Sequence, residues 1–339
     1  MPLHFLSISL LYVKNLVCES FMATPFYEYP QPVHSERQPG SLAKLLLVPD
    51  NPLEDIDSSN TQLTKIDRTI KVNGVTAHYT VTTSMSCPDL EGSAPIQVLP
   101  GHFGAERCYS AFSEELAGLG TTAITFGLPR HQGIASVRPR NVLHPDKLLS
   151  EISEAVAMDA QQEFGIGGVH VLGHSFGGKG AVEHVENSQK SHSGPEVLSM
   201  TLLDSTGSTK HNSLTLTGRS LLVAKDLAAL AIHDPKIIRD GLAYGLTNPP
   251  RTVGESIVGS NARLKPSQMQ RIGKSGVKTI MINHAGDQLF PAQDVPEALI
   301  NSFDDYHVGM PKDGGHLAVS LQPRSVALDI NDSLKRAGF

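Results

Sequence analysis

Residues 168–178 of the chain are GVHVLGHSFGG. An apolar run leads directly into Gly173-His174-Ser175-Phe176-Gly177, and a helix-like segment follows it. This is the G-x-S-x-G pattern, which between a strand and a helix forms a sharp turn. The two glycines remove side chains where the backbone would clash. Ser175 is therefore predicted to lie at the strained apex of the turn with its hydroxyl exposed.

A serine hydroxyl becomes a useful nucleophile when a base, usually a histidine oriented by a carboxylate, accepts its proton. Asp287 follows the apolar run 277–283, and His316 follows the last short β-like run, in KDGGHLAV. We therefore predict Ser175 as nucleophile, His316 as base and later acid, and Asp287 as the carboxylate. Asp204, which ends the run SMTLLD, is an alternative acid and is otherwise expected at a cap hinge or as a helix cap.

The oxyanion of an acyl-transfer intermediate needs preorganised donors. The N–H of Phe176, at the start of the helix, is one predicted donor. The N–H of Phe103, in the loop PGHFG at 100–104, is the other. His102 and His174 flank these positions and are predicted to shape the pocket rather than to bind a metal.

Strand-like and helix-like segments alternate along most of the chain, which favours a parallel sheet covered on both faces. Asn73-Gly74 between two alternating runs predicts a β-hairpin. The spacing of apolar residues predicts a helix over 144–164, and another helix is expected near 292–301.

The chain divides into three parts by pattern. Residues 1–65 are expected to form a largely irregular extension, because residues 22–66 are rich in Pro, Ser, Asp and Asn. Residues 66–205 and 275–339 are expected to form the α/β core. Residues 206–274 look helical without clear strands and are predicted to form a cap over the carboxyl ends of the strands, where open α/β sheets bind ligands.

Composition excludes several classes of function. The 339 residues carry a net charge of −6, so nucleic acid is not an expected partner. Three cysteines, at 18, 87 and 108, form neither a disulfide framework nor a metal-ligand spacing. The sequence contains no apolar run of 18 residues, so no membrane span is predicted. Residues 1–21 resemble a short signal sequence only in part, and we expect a cytoplasmic protein with an ambiguous N-terminus.

The order Ser175, Asp287, His316 and the surrounding motifs resemble the α/β-hydrolase superfamily from about residue 66 onward. The resemblance implies a mostly parallel eight-stranded sheet flanked by helices, with a helical cap insertion and neither metal nor organic cofactor. It favours Asp287 over Asp204, because GDQLFP is similar to the family's acid loop. The sequence departs from the family pattern at Gly101-His102, where many members have His-Gly.

The expected function is that of a serine esterase or lipase-like hydrolase acting on a hydrophobic small-molecule ester or acyl substrate. Acyltransferase and thioesterase activity use the same residues, and a catalytically silent binding protein is the non-enzyme alternative. A nucleotide-binding P-loop is disfavoured, because Gly180 stands where that motif needs Ser or Thr. The sequence makes no prediction of the oligomeric state.

Overall fold

The structure is a computed structural model of the chain. The structure describes residues 62–85, 90–102, 106–127, 143–191, 194–209, 219, 223–239, 255–259, 261–309 and 315–339. The predicted N-terminal extension lies outside these residues up to position 61, and β1 begins at Leu63, inside the predicted extension.

One eight-stranded sheet organises the described residues, with the strand order β1-β2-β4-β3-β5-β6-β7-β8. The β1–β2 and β2–β4 pairs are antiparallel, and every other pair is parallel. This confirms the expected mostly parallel sheet. The strands are β1 (Leu63–Val72), β2 (Val75–Ser84), β3 (Ile96–Leu99), β4 (Ala123–Phe126), β5 (Gly168–His174), β6 (Glu196–Leu203), β7 (Lys278–His284) and β8 (Asp305–Gly309).

Helices connect most of the parallel strands. They are α1 (Ser110–Gly118), α2 (Pro145–Phe164), α3 (Gly177–Ser191), α4 (Ala224–His233), α5 (Pro266–Lys274), α6 (Glu297–Ile300), α7 (Ala318–Leu321) and α8 (Pro323–Ala337). Short 3₁₀ segments occur at Glu106–Tyr109, Ala292–Asp294 and Gly315–Leu317.

The two faces of the sheet belong to two separate apolar cores, because successive side chains of a strand point to opposite faces. Val171 of β5 packs in the core that α2, α3 and α5 cover. Its neighbour Leu172 packs in the core that α1 and α8 cover. Both side chains are fully buried, which contributes about 1.5–3 kcal/mol each. The carboxyl end of β5 is therefore packed on both of its faces.

The hairpin lies at its predicted place, with Asn73 and Gly74 both in the left-handed region at φ 52° and 79°. The helix expected near 292–301 is instead a 3₁₀ turn followed by α6. Pro296 separates them, because the residue before a proline is driven out of the helical region. Val295 accordingly adopts φ −72° and ψ 123°.

Residues 206–274 contain helices in the parts that are described. These are α4, α5 and helical turns at 235–239 and 255–259, and the described residues between β6 and β7 form no strand. α4 packs against the 3₁₀ segment Gly315–Leu317 and against α7. One described part of the predicted cap therefore contacts the segment that carries His316.

Candidate active site

Ser175 occupies a strained turn between β5 and α3. Its φ is 53°, a left-handed conformation that is uncommon for a residue with a side chain. The backbone packs too tightly here for side chains at the flanking glycines. A Cβ on Gly177 would lie 2.1 Å from the carbonyl oxygen of Leu99, and one on Gly173 would lie 2.6 Å from that of Gly177. The two glycines of the motif are therefore required by close packing.

The Oγ of Ser175 lies 2.9 Å from the Nε2 atom of His316. His316 lies beyond β8, in the 3₁₀ segment Gly315–Leu317, and its side chain is buried. The ring of Phe290 meets the His316 ring edge-on at a centroid distance of 5.3 Å. The imidazole is therefore held in hydrogen-bonding reach of the serine.

The other ring nitrogen of His316, Nδ1, lies 2.9 Å from Oδ2 of Asp287. The second oxygen of this carboxylate accepts hydrogen bonds from the backbone N–H groups of Leu289 (2.7 Å) and Phe290 (3.1 Å). Asp287 follows β7 in the loop that contains GDQLFP. The structure thus brings Ser175, His316 and Asp287 into one chain of hydrogen bonds.

Asp204, the alternative acid, is bonded elsewhere. Its Oδ2 lies 2.5 Å from Nδ1 of His284, and its Oδ1 accepts from the backbone N–H of His284 at 2.8 Å. Asp204 has φ 46° and is fully buried, as is His284. Its carboxylate therefore ties the end of β6 to the end of β7. Sequence reasoning did not anticipate this pair, because His284 had no motif around it.

The charges around His316 favour its protonated form. Burial lowers the pKa of His316, but the adjacent Asp287 and, further away, Asp204 and Asp226 outweigh burial and raise the pKa above the ordinary value. Burial raises the pKa of Asp287, but His316 and the two N–H donors outweigh it and hold that pKa below the usual range. The pair is therefore suited to an ionised carboxylate beside a histidine that gains a proton.

Phe176, one of the two predicted oxyanion donors, is buried directly before α3. None of the described backbone carbonyls accepts a hydrogen bond from its N–H. The predicted second donor, Phe103, lies outside the described residues. Gly101, two positions before it, comes close to the serine, because a Cβ on Gly101 would lie 3.0 Å from the Cβ of Ser175.

The two histidines predicted to shape the pocket make different contacts. His174 is buried, and its ring nitrogens contact the Tyr109 hydroxyl and the His316 carbonyl oxygen, at 2.9 and 3.2 Å. The Nδ1 atom of His102 lies 3.1 Å from a carboxylate oxygen of the buried Glu255, in the helical turn at 255–259. His102 thus joins the chain just after β3 to the predicted cap.

Solved structures provide the comparison that identifies the architecture. A proline iminopeptidase from Mycobacterium smegmatis covers 80% of this chain and 98% of its own, with a TM-score of 0.56 at 17% identity. The enol-lactonase from Burkholderia xenovorans LB400 covers 79% and 100%, with a TM-score of 0.56 at 14% identity. An esterase, EaEST, from Exiguobacterium antarcticum covers 80% of this chain and 100% of its own, with a TM-score of 0.55 at 13% identity. This chain has the α/β-hydrolase fold.

The α/β-hydrolase fold agrees with the family resemblance of the sequence, although the likeness at these identities concerns the fold alone. No protein-family model matches the chain, and no curated protein matches it. No helix of the described residues is both long and apolar enough to cross a membrane. The same residues contain no group of three or more His, Cys, Asp or Glu side chains arranged to hold a metal ion.

Proposed function

We propose that this protein is a serine hydrolase that cleaves a carboxylic ester or a related acyl bond through an acyl-enzyme intermediate. One observation carries the proposal. The Oγ of Ser175, on a strained turn, lies 2.9 Å from Nε2 of His316. Nδ1 of His316 lies 2.9 Å from the Asp287 carboxylate, which also accepts hydrogen bonds from two backbone N–H groups. Nucleophilic serine catalysis requires these three groups in this order.

In the proposed reaction, the Oγ of Ser175 attacks the acyl carbon while Nε2 of His316 accepts its proton. Asp287 holds the imidazole in the tautomer with hydrogen on Nδ1 and stabilises the imidazolium that forms. The tetrahedral oxyanion accepts a hydrogen bond from the N–H of Phe176, with a second donor proposed at Phe103. His316 then protonates the leaving alcohol, and a water molecule repeats the sequence to release the acid.

A second buried serine–histidine pair in the same chain provides an internal comparison. The Oγ of Ser153 lies 2.6 Å from Nδ1 of His184. Burial lowers the pKa of His184 to about 4, and no carboxylate in the described part of the chain opposes this effect. Ser153 lies within α2, in ordinary helical backbone. The carboxylate beside its histidine and the strained turn therefore distinguish Ser175 from Ser153.

A fluorophosphonate probe, which labels activated serines, tests the proposal. We expect it to label the wild type and Ser153→Ala equally, and to leave Ser175→Ala unlabelled. A p-nitrophenyl ester series of increasing chain length then measures the size of the acyl pocket, for which we propose a hydrophobic substrate. A folded wild-type protein that does not label contradicts the proposal and favours a binding protein. Labelling with turnover only of thioesters, or only with an added alcohol acceptor, assigns the thioesterase or acyltransferase alternative.

A further inference from the structure

A buried pair, Tyr109 and His174, joins the two loops that converge on Ser175. Gly101 lies in the loop at 100–104, called here the oxyanion loop because it contains the proposed donor Phe103. The backbone N–H of Gly101 donates to the Tyr109 hydroxyl at 2.7 Å. The same hydroxyl lies 2.9 Å from Nδ1 of His174, whose Nε2 lies 3.2 Å from the carbonyl oxygen of His316. Both side chains are almost fully buried, at 2% and 4% exposure. A continuous path of three hydrogen bonds therefore connects the oxyanion loop to the proposed base.

The hydrogens on this path can be assigned from its ends. A carbonyl oxygen only accepts, so Nε2 of His174 carries a hydrogen and donates it to His316. Burial, assisted by the nearby His316, lowers the pKa of His174 to about 3, so its ring is neutral and Nδ1 is an acceptor. Tyr109 must then donate its hydroxyl hydrogen to Nδ1. This leaves a lone pair of its oxygen for the Gly101 N–H, and every donor on the path has one acceptor.

We propose that Tyr109 and His174 are positioning residues, which hold the oxyanion loop and the backbone of His316 at a fixed separation around Ser175. The inference rests on the function proposed above. It assigns His174 a role other than the pocket-shaping one expected from sequence, because both of its ring nitrogens are bonded within the protein. Neither side chain is proposed to touch the substrate.

The His174 ring also packs against the base itself. Its plane is stacked on that of His316, with 5.3 Å between centroids and 30° between planes. A neutral ring can lie there while His316 becomes an imidazolium, whereas a second cation would repel it. A protonated His174 would also have to donate from Nδ1, which the hydroxyl hydrogen of Tyr109 already occupies. The path therefore requires His174 to stay neutral throughout turnover.

Three substitutions separate the two ends of the path. Tyr109→Phe removes the acceptor for Gly101 but leaves the bond from His174 to His316. His174→Gln keeps an N–H that can reach the His316 carbonyl, and His174→Leu removes it at similar size. His170→Gln is the matched control, because His170 is another buried histidine of β5, bonded to Ser199 and away from Ser175.

The measurements are kcat and KM for ester hydrolysis, the rate of fluorophosphonate labelling and the melting temperature. A misplacement of about 1 Å can lower a rate about 100-fold. We expect Tyr109→Phe and His174→Leu to lower kcat and the labelling rate by about 10- to 100-fold at unchanged KM. His174→Gln should recover part of the His174→Leu loss, and His170→Gln should match the wild type. Folded Tyr109→Phe and His174→Leu proteins with wild-type kcat, or equal losses for Gln and Leu, would overturn the proposal.

Histidine ¹⁵N NMR tests the hydrogen assignment independently of any activity. The signal that disappears in His174→Gln should show hydrogen on Nε2, none on Nδ1 and no titration between pH 5 and pH 8. Hydrogen on Nδ1, or titration in this range, contradicts the path even in an inactive protein. A wild type that fails to label contradicts the proposed function instead, so the two failures are distinguishable.

Discussion

The Nε2 atom of His316 lies 2.9 Å from the Oγ of Ser175, although 141 positions of sequence separate the two residues. The contact exists because β5 and β7 run parallel in one sheet, with β8 beside β7. The loops that follow these strands therefore meet at the same edge, where α/β sheets collect their functional side chains.

The two buried aspartates are expected to fail in different ways. Asp287→Asn removes the charge that orients His316, and we expect kcat to fall by about 10⁴-fold. Asp204→Asn breaks a buried pair with His284, and we expect a loss of about 3–5 kcal/mol in the free energy of unfolding. Steady-state kinetics and urea unfolding of both variants measure these effects. A larger kcat loss in folded Asp204→Asn would make Asp204 the acid.

The pH dependence of kcat/KM is expected to report the pKa of His316. The base must be unprotonated to accept the serine proton, so activity falls as pH decreases through this pKa. Because the aspartates around His316 raise its pKa, the fall should lie above the ordinary histidine value of about 6.5. Asp287 contributes most to raising the His316 pKa. In Asp287→Asn, the remaining activity should therefore begin to fall at a lower pH than in the wild type. A fall that does not move would show that Asp287 does not act on the titrating group.

The turn at Ser175 is expected to reduce the stability of the folded chain. A left-handed conformation costs a residue with a Cβ about 1–2 kcal/mol, and glycine avoids this cost. We therefore expect Ser175→Gly to unfold at higher urea concentration than Ser175→Ala, since both lack the hydroxyl. In α3, where the backbone is helical, Ala181→Gly should instead lose about 1 kcal/mol of helix propensity, and in addition the burial of its methyl group in the core. Equal stability of Ser175→Gly and Ser175→Ala would contradict strain at this position.

Gly177, which follows the strained turn at Ser175 (the elbow), is expected to tolerate no side chain. A methyl group at 177 would overlap the carbonyl oxygen of Leu99, so Gly177→Ala must displace β3 or α3. We expect a loss of about 2 kcal/mol or more, together with loss of labelling at Ser175.

Gly273→Ala provides the control for that substitution. Its new methyl group would meet nothing nearer than 3.7 Å, and alanine is the better helix former. We expect this variant to be slightly more stable than the wild type. A Gly177→Ala protein as stable as Gly273→Ala would refute the packing argument.

The strands and the elbow were predictable because their signals are local. The apolar run of β5, the two glycines and the following helix are contiguous, so β5 and α3 lie where the sequence places them. Asn73-Gly74 predicted its hairpin for the same reason. Asp287 and His316 were also predicted from local signals, each in a loop beyond a strand, and their catalytic roles stay a prediction.

The parts that sequence reasoning missed depend on contacts between distant elements. Tyr109, at the end of a 3₁₀ turn, meets His174 at the end of β5 only because α1 packs on the sheet. Nothing near Tyr109 in sequence distinguishes it from a core tyrosine. Asp204 was recognised as a carboxylate at a strand end, but its partner His284 becomes evident only once β6 and β7 are paired.

The separation of Ser175 from His316 also affects how the protein is made. Ser175 leaves the ribosome before His316 has been synthesised, and β7 and β8, whose following loops carry Asp287 and His316, come after β6 in the chain. On the mechanism proposed above, the serine of a partly synthesised chain has no histidine to remove its proton. We therefore expect Ser175 to become reactive only after the segment that carries His316 has docked, so that labelling of Ser175 reports this docking.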